Sequence, residues 1–143
     1  NTWSDGPFGN SAGGPDRAIS YYDKGPIVSM ILDFTIRNAT GNSKSLDDVM
    51  RLLYNSYYKE LCRGFTDAEF QRACETVAGI SLAPEFEYVN TTGEIDYAKY
   101  LSYAGLGISE STDRQKGRKH FTIVRSETAS PEQSAIFRSW TGN

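Results

Sequence analysis

Ser20-Tyr21-Tyr22-Asp23-Lys24-Gly25-Pro26 runs directly into Ile27-Val28-Ser29-Met30-Ile31-Leu32-Asp33-Phe34-Thr35-Ile36-Arg37. The second half predicts a helix. Ile27, Met30, Ile31 and Phe34 recur at i, i+3, i+4 and i+7, and Pro26 suits a first helical position, where its missing N–H costs nothing. Val28, Leu32 and Ile36 fill much of the remaining circumference, so this helix is expected to be surrounded by protein rather than laid on a surface. The first half then reads as a functional turn, with two tyrosines and a lysine at the mouth of a core element.

Working outward, the chain after Arg37 is punctuated by helix signals. Asn38 to Lys44 is polar and contains Gly41, which ends the first helix. Ser45 opens a second, with Asp47 and Asp48 in its first turn and Leu46, Val49, Met50, Leu53, Tyr57 and Leu61 along one face. Thr66-Asp67-Ala68-Glu69 is a capping box for a third, whose face is Phe70, Ala73, Cys74 and Val77 and whose stop is Gly79. Capping accounts for the paired acids Asp47/Asp48 and Asp67/Glu69 without any acid–base chemistry. Pro84 to Val89 and Ile95 to Ala104 predict two further helices, the last ending at Gly105 with Leu106 behind it. Tyr97, Tyr100 and Tyr103 read as a packing stripe. Beyond Gly107, Ile108 and His120 to Arg125 read as two strands joined by the polar Ser111 to Lys119, whose Arg114, Lys116, Arg118 and Lys119 suit a solvated loop. Ser130-Pro131-Glu132-Gln133 opens a final helix that buries Ala135, Ile136 and Trp140.

The expected fold is therefore mainly α, a lobe of five to six helices with a small C-terminal β-hairpin. Residues 1–18 form a Gly-rich loop segment, 19–106 the helical lobe, and 107–143 the hairpin and last helix.

Composition excludes several functions. A chain of 143 residues, 38% of them hydrophobic, suits one compact domain or a subdomain of a larger one. A net charge of -3 gives no electrostatic case for nucleic acid as a partner. No membrane span is expected, because Ile27 to Ile36 is short and broken by Ser29, Asp33 and Thr35. The chain opens without the basic and apolar regions of a signal peptide, which leaves the compartment of a larger protein, periplasmic or cytoplasmic, open. Cys62 and Cys74 are too far apart for a close-spaced metal or redox pair, and Cys74 falls on an apolar helix face as a buried free thiol.

Tyr22-Asp23-Lys24-Gly25 followed by an apolar helix resembles the Tyr-x-Lys-Gly segment of gluzincin zinc aminopeptidases. The longer string from Ser20 to Arg37, continued by Ser45 to Arg51, is similar to the glycyl aminopeptidase family within that group. The similarity runs from about Asn1 to Leu106 and resumes at Ser130 to Gln133. It implies a zinc-dependent peptidase acting on peptide substrates, in which Tyr22 lies across the substrate from the metal and donates a hydrogen bond to the oxyanion. Tyr21 is the second choice for that role, and Tyr21, Lys24 and Gly25 belong to the substrate cleft. In that family zinc and its water attack the scissile carbonyl, and a glutamate of the zinc motif acts as general base. A peptide-binding module of the PDZ type commonly lies between the Ala104-Gly105-Leu106 segment and the final helix; here the interval from Leu106 to Ser130 is too short to hold one.

The family's His-Glu-x-x-His motif is absent. Such a zinc needs three protein ligands, two of them histidines one helical turn apart, and the sequence has one histidine, His120. That histidine opens a strand beside basic residues, far in sequence from Tyr22. The expectation is that this chain binds no zinc and is inactive alone. It would supply one wall of an active site whose zinc belongs to an N-terminal part of the same protein. The alternatives are a non-catalytic helical binding or scaffold domain, and a partner-binding helical domain unrelated to peptidases.

Overall fold

The computed structural model describes residues 21–91, 94–112 and 119–142, with residues 21–23, 112, 119 and 120 described by their backbone alone. Six α-helices and one two-stranded antiparallel hairpin follow in the order α1 (Tyr21–Ala39), α2 (Leu46–Leu53), α3 (Asp67–Ala78), α4 (Ala83–Asn90), α5 (Tyr97–Ser102), β1 (Leu106–Thr112), β2 (Lys119–Arg125) and α6 (Pro131–Thr141). The protein is mainly helical, with its small sheet near the C-terminal end. The Gly-rich segment 1–18 and the loop residues Arg114, Lys116 and Arg118 lie outside the described residues.

Helix α1 is the axis of the molecule. Seven consecutive residues, Ile31 to Arg37, are buried, because apolar side chains surround the helix and the polar ones among them are paired within the protein. On one side Leu32 and Ile36 pack with Val49 and Leu53 of α2, Ala73, Cys74 and Ala78 of α3, and Leu82 and Phe86 at α4. On the other, Phe34 packs with Leu101, Ala104, Leu106 and Ile136. Each large aliphatic or aromatic side chain removed from water in this way contributes about 1.5–3 kcal/mol before the cost of ordering it.

Three expectations are corrected. Helix α1 is already helical at Tyr21, the first described residue, so Pro26 lies inside the helix rather than at its first position, and Tyr21 and Tyr22 are helical rather than in a preceding turn. Pro26 has no N–H to offer the Tyr22 carbonyl. The second helix does not run on regularly to Leu61. After Leu53 it widens into a π-helical segment, Tyr54–Glu60, closed by a bond from Leu61 N–H to the Ser56 carbonyl at 3.3 Å and ended by Cys62 at φ +49°. The wider turn breaks the α period on which the apolar stripe was drawn, and Leu61 is left exposed. Of the tyrosine stripe in α5, Tyr100 is buried and Tyr97 exposed.

The capping signals behave as their chemistry requires. The Thr66 hydroxyl accepts from Glu69 N–H at 3.3 Å while the Glu69 carboxylate accepts from Thr66 N–H at 2.8 Å. Ser130 and Gln133 repeat the exchange at α6, at 3.2 and 2.7 Å. Helix α5 is shorter than the expected Ile95 to Ala104, ending at Ser102 with Tyr103 as its cap; Gly105, in the turn that follows, has φ +66°, and a Cβ there would stand 2.6 Å from Ala129 Cβ, so the loop before α6 closes over it. Trp140 remains partly exposed, although its ring meets the edge of Phe34 at 5.0 Å.

Candidate functional site

Positions 21, 25, 28 and 32 recur at i, i+4, i+7 and i+11, and so do 22, 26, 29 and 33. They form two neighbouring stripes along the first half of α1. Each stripe borders its own cleft. Gly25, Val28 and Leu32 line a largely apolar cleft of about 370 Å3, completed by Asp67, Ala68, Phe70 and Gln71 of α3 and Phe86, Val89 and Asn90 of α4. Pro26, Ser29 and Asp33 line a second cleft of about 350 Å3, completed by Arg37, Leu46, Asp47 and Trp140; its three charged lining residues make it the polar cleft. The two candidate tyrosines are adjacent in sequence, but their backbone positions belong to different clefts: Tyr21 to the stripe of the apolar one, Tyr22 to that of the polar one.

Lys24 has a definite place. Its ammonium donates to the Thr91 carbonyl at 3.4 Å, at the C-terminal end of α4, where unsatisfied carbonyls carry partial negative charge and favour a cation. Lys24 thereby reaches from α1 to Thr91, the residue that caps α4. Gly25 is inside the helix. Among the described residues a Cβ placed on Gly25 would meet nothing within 4 Å, and a glycine in a helix interior costs about 0.5–1 kcal/mol relative to alanine.

Along the polar cleft, Asp33 and Arg37 form a buried ion pair at 2.8 Å. Arg37 also donates to Asn42 at 3.0 Å and to Ser139 at 2.8 Å, while Asp33 accepts from Leu46 N–H at 2.8 Å. These groups are fully engaged in joining α1 to α2 and α6, which makes the pair the polar floor of the cleft rather than a free acid or base.

Two features had no sequence signal. Tyr100, fully buried, donates its hydroxyl to Glu85 at 3.1 Å. Burial raises the phenol's pKa well above its ordinary value, with Tyr88 and Glu85 adding to the shift. The second is a groove of about 870 Å3 at the π-helical segment, lined by Met50, Tyr54, Tyr57, Tyr58 and Phe65. There the Tyr54 and Tyr58 rings stack at 5.2 Å and the Lys59 ammonium lies 5.1 Å from the Tyr54 centroid. Neither involves the Tyr-x-Lys-Gly segment.

Among the described residues, no group of three or more His, Cys, Asp or Glu side chains is placed to hold a metal ion, and no helix is long and apolar enough to cross a membrane. The described donor set does not fit a peptidase zinc. The chain was also compared with protein-family models, curated proteins and solved structures, and none of them matches it.

Proposed function

We propose that this chain is the helical C-terminal portion of a zinc-dependent aminopeptidase of the gluzincin kind, and that it contributes the oxyanion-binding Tyr22 and part of the substrate cleft. The observation that supports this reading is the position of Tyr22-Asp23-Lys24-Gly25 in the opening turns of the most deeply embedded helix, between two clefts that both border that helix. The buried run Ile31 to Arg37 anchors the same helix farther along, and fixed placement is what oxyanion stabilisation demands. The described residues do not assemble the zinc site, so the reading assigns the metal to an N-terminal part of the same protein. What this chain supplies is a phenolic O–H aimed at the carbonyl oxygen as negative charge develops on it. Lys24, through Thr91, links the part of α1 that carries Tyr22 to the end of α4.

The test is direct. The coding sequence upstream of Asn1 is determined, the longer protein is produced, and its zinc content and hydrolysis of amino-terminal residues from short peptides are measured. A His-Glu-x-x-His helix upstream with zinc-dependent release of amino acids supports the proposal. A longer protein without that motif and without peptidase activity overturns it.

A non-catalytic scaffold is the second reading, favoured by the aromatic groove at Tyr54 to Phe65. Aromatic, methionine and arginine side chains gathered on an exposed surface are the usual composition of a protein-binding patch. Absence of peptidase activity from the longer protein, together with a binding partner lost on Tyr58→Ala, would favour it.

A further inference from the structure

Large apolar side chains exposed singly need no explanation, but a contiguous group of them does. Met50, Tyr54, Tyr58 and Phe65 are each about half exposed or more, and they meet in the groove of about 870 Å3 at the π-helical segment, a widened turn of a kind found mostly at functional sites. The floor of the groove is built before any partner arrives. Tyr57 meets Phe65 edge to face at 6.2 Å, and the Arg63 guanidinium, fixed by two bonds to Glu69 at 2.7 and 3.0 Å, lies 5.0 Å from the Tyr57 centroid. A surface ordered in advance loses less entropy when something binds to it. The charged residues in the described lining are Lys59 and Arg63, both cations. Arg63 is balanced by Glu69, whereas Lys59 makes no ion pair among the described residues. Its ammonium stands 5.1 Å from the centroid of the Tyr54 ring, which stacks on Tyr58 at 5.2 Å.

We propose that this groove docks an acidic segment of a partner protein, whose aromatic or aliphatic side chains settle on the tyrosines while a neighbouring carboxylate meets the Lys59 ammonium. The two chemistries of the occupant answer the two of the groove. Tyrosine, phenylalanine, methionine and arginine are the side chains that protein interfaces concentrate. A lining whose charges are all positive, one of them unbalanced, attracts an anionic segment and repels a cationic one. A nucleic acid is held by a row of cations along its phosphates, and this lining offers one unbalanced cation. The inference goes beyond the peptidase reading, which uses the clefts along α1. It deepens the scaffold reading, resting on it only for the claim that a protein binds in this groove.

The probes are an acetylated, amidated peptide of pattern Glu-Trp-Glu-Glu-Leu-Glu and its counterparts with every glutamate replaced by glutamine or by lysine. Each is titrated into the full 143-residue chain while backbone amide NMR signals are followed. The glutamate peptide is expected to shift the amides of Tyr54, Tyr58 and Phe65 and to bind about two- to fivefold tighter than the glutamine peptide, the increment of one solvent-exposed ion pair. The lysine peptide is expected to bind weakest. Lys59→Gln removes most of the difference between the glutamate and glutamine peptides, and Lys59→Glu reverses the order, so that the lysine peptide binds best. Tyr58→Ala is expected to weaken all three about tenfold, as for loss of an interface anchor. Tyr58 and Lys59 are exposed, so the melting temperature is expected to move little in these variants.

Equal affinity for the three peptides, an order unchanged by Lys59→Glu, shifts confined to residues outside the groove, or no binding at millimolar peptide would overturn the proposal. So would tighter binding of a short oligothymidylate at the same amides, which would make the groove a nucleic-acid surface, or concentration-dependent shifts of those amides without peptide, which would place a second copy of the chain there. None of these readouts uses zinc or catalysis. An active peptidase whose groove prefers the glutamate peptide would sink the scaffold reading alone, and a longer protein without peptidase activity whose groove takes all three peptides equally would sink this inference alone.

Discussion

The Asp33 carboxylate and the Arg37 guanidinium meet at 2.8 Å one turn apart in the buried half of α1, each with about a tenth of its side chain exposed. Through them three elements are joined, since Asp33 accepts from the first amide of α2 and Arg37 donates to Ser139 in α6. Replacing Arg37 with methionine leaves a buried carboxylate without its counter-charge, and a loss of about 3–5 kcal/mol in unfolding free energy is expected. Urea denaturation measures it. The double variant Asp33→Asn/Arg37→Met is expected to lose less than the sum of its single variants, because the uncompensated charge is then gone.

On the peptidase reading proposed above, Tyr22→Phe in the longer protein that reading requires is expected to lower kcat by about a hundred- to a thousandfold, as for loss of one oxyanion donor, with little change in KM. Tyr21→Phe is the control. Because the two positions lie on stripes bordering different clefts, loss of kcat in Tyr21→Phe instead would move the chemistry to the apolar side of α1. Full activity in both variants would remove the catalytic assignment.

The two cysteines are expected to differ sharply in reactivity. Cys74 is buried in the core between α1 and α3, and burial pushes its thiol up to about 12, so almost no thiolate is present at neutral pH. Cys62 is exposed. Iodoacetamide at pH 8 followed by mass spectrometry is expected to label Cys62 in the native protein and Cys74 only once denaturant is added. Equal labelling of both under native conditions would contradict the packing of α3.

Acid is expected to act at the start of α3. Two bonds from Arg63 and one from Thr66 N–H hold the Glu69 carboxyl down from its ordinary 4.5 to about 2. The folded state then binds this proton less readily than the unfolded chain. The stabilisation is fully present above about pH 4.5 and is lost as pH falls toward 2. Melting temperatures recorded across that window are expected to fall less steeply in Glu69→Gln than in the natural chain. Identical slopes would mean that solvent screening has cancelled the contribution of this exposed pair.

Most of the helical architecture was legible because its signals are local. Thr66-x-x-Glu69 and Ser130-x-x-Gln133 are chemical instructions complete within four residues, and the apolar content around α1 required partners on all sides. The boundaries that were missed involve competition between local and distant effects. Pro26 marked a plausible helix start by its own chemistry, yet the helix extends a turn and a half earlier. The π-helical segment after Leu53 still presents residues at near-helical spacing, so periodicity could not separate it from a regular continuation. The clefts were illegible for a different reason. Gly25 was visible in the sequence, but Phe70, Phe86 and Val89 come from two other helices, and only the folded chain places them opposite it.

The hairpin has a property that follows from one bond at its base. The chain leaves the helical lobe at Gly105 and re-enters at Ser126, whose N–H donates to the Gly105 carbonyl at 2.9 Å. Residues 106–125 are therefore an excursion whose exit and return are stitched together, and beyond Leu106 its described side chains are largely exposed. Such a junction works as a socket. At the base of the excursion Leu106 packs in the core and Arg125 lies over the Phe137 ring of α6, so the segment between these two can change in length without pulling on α5 or α6.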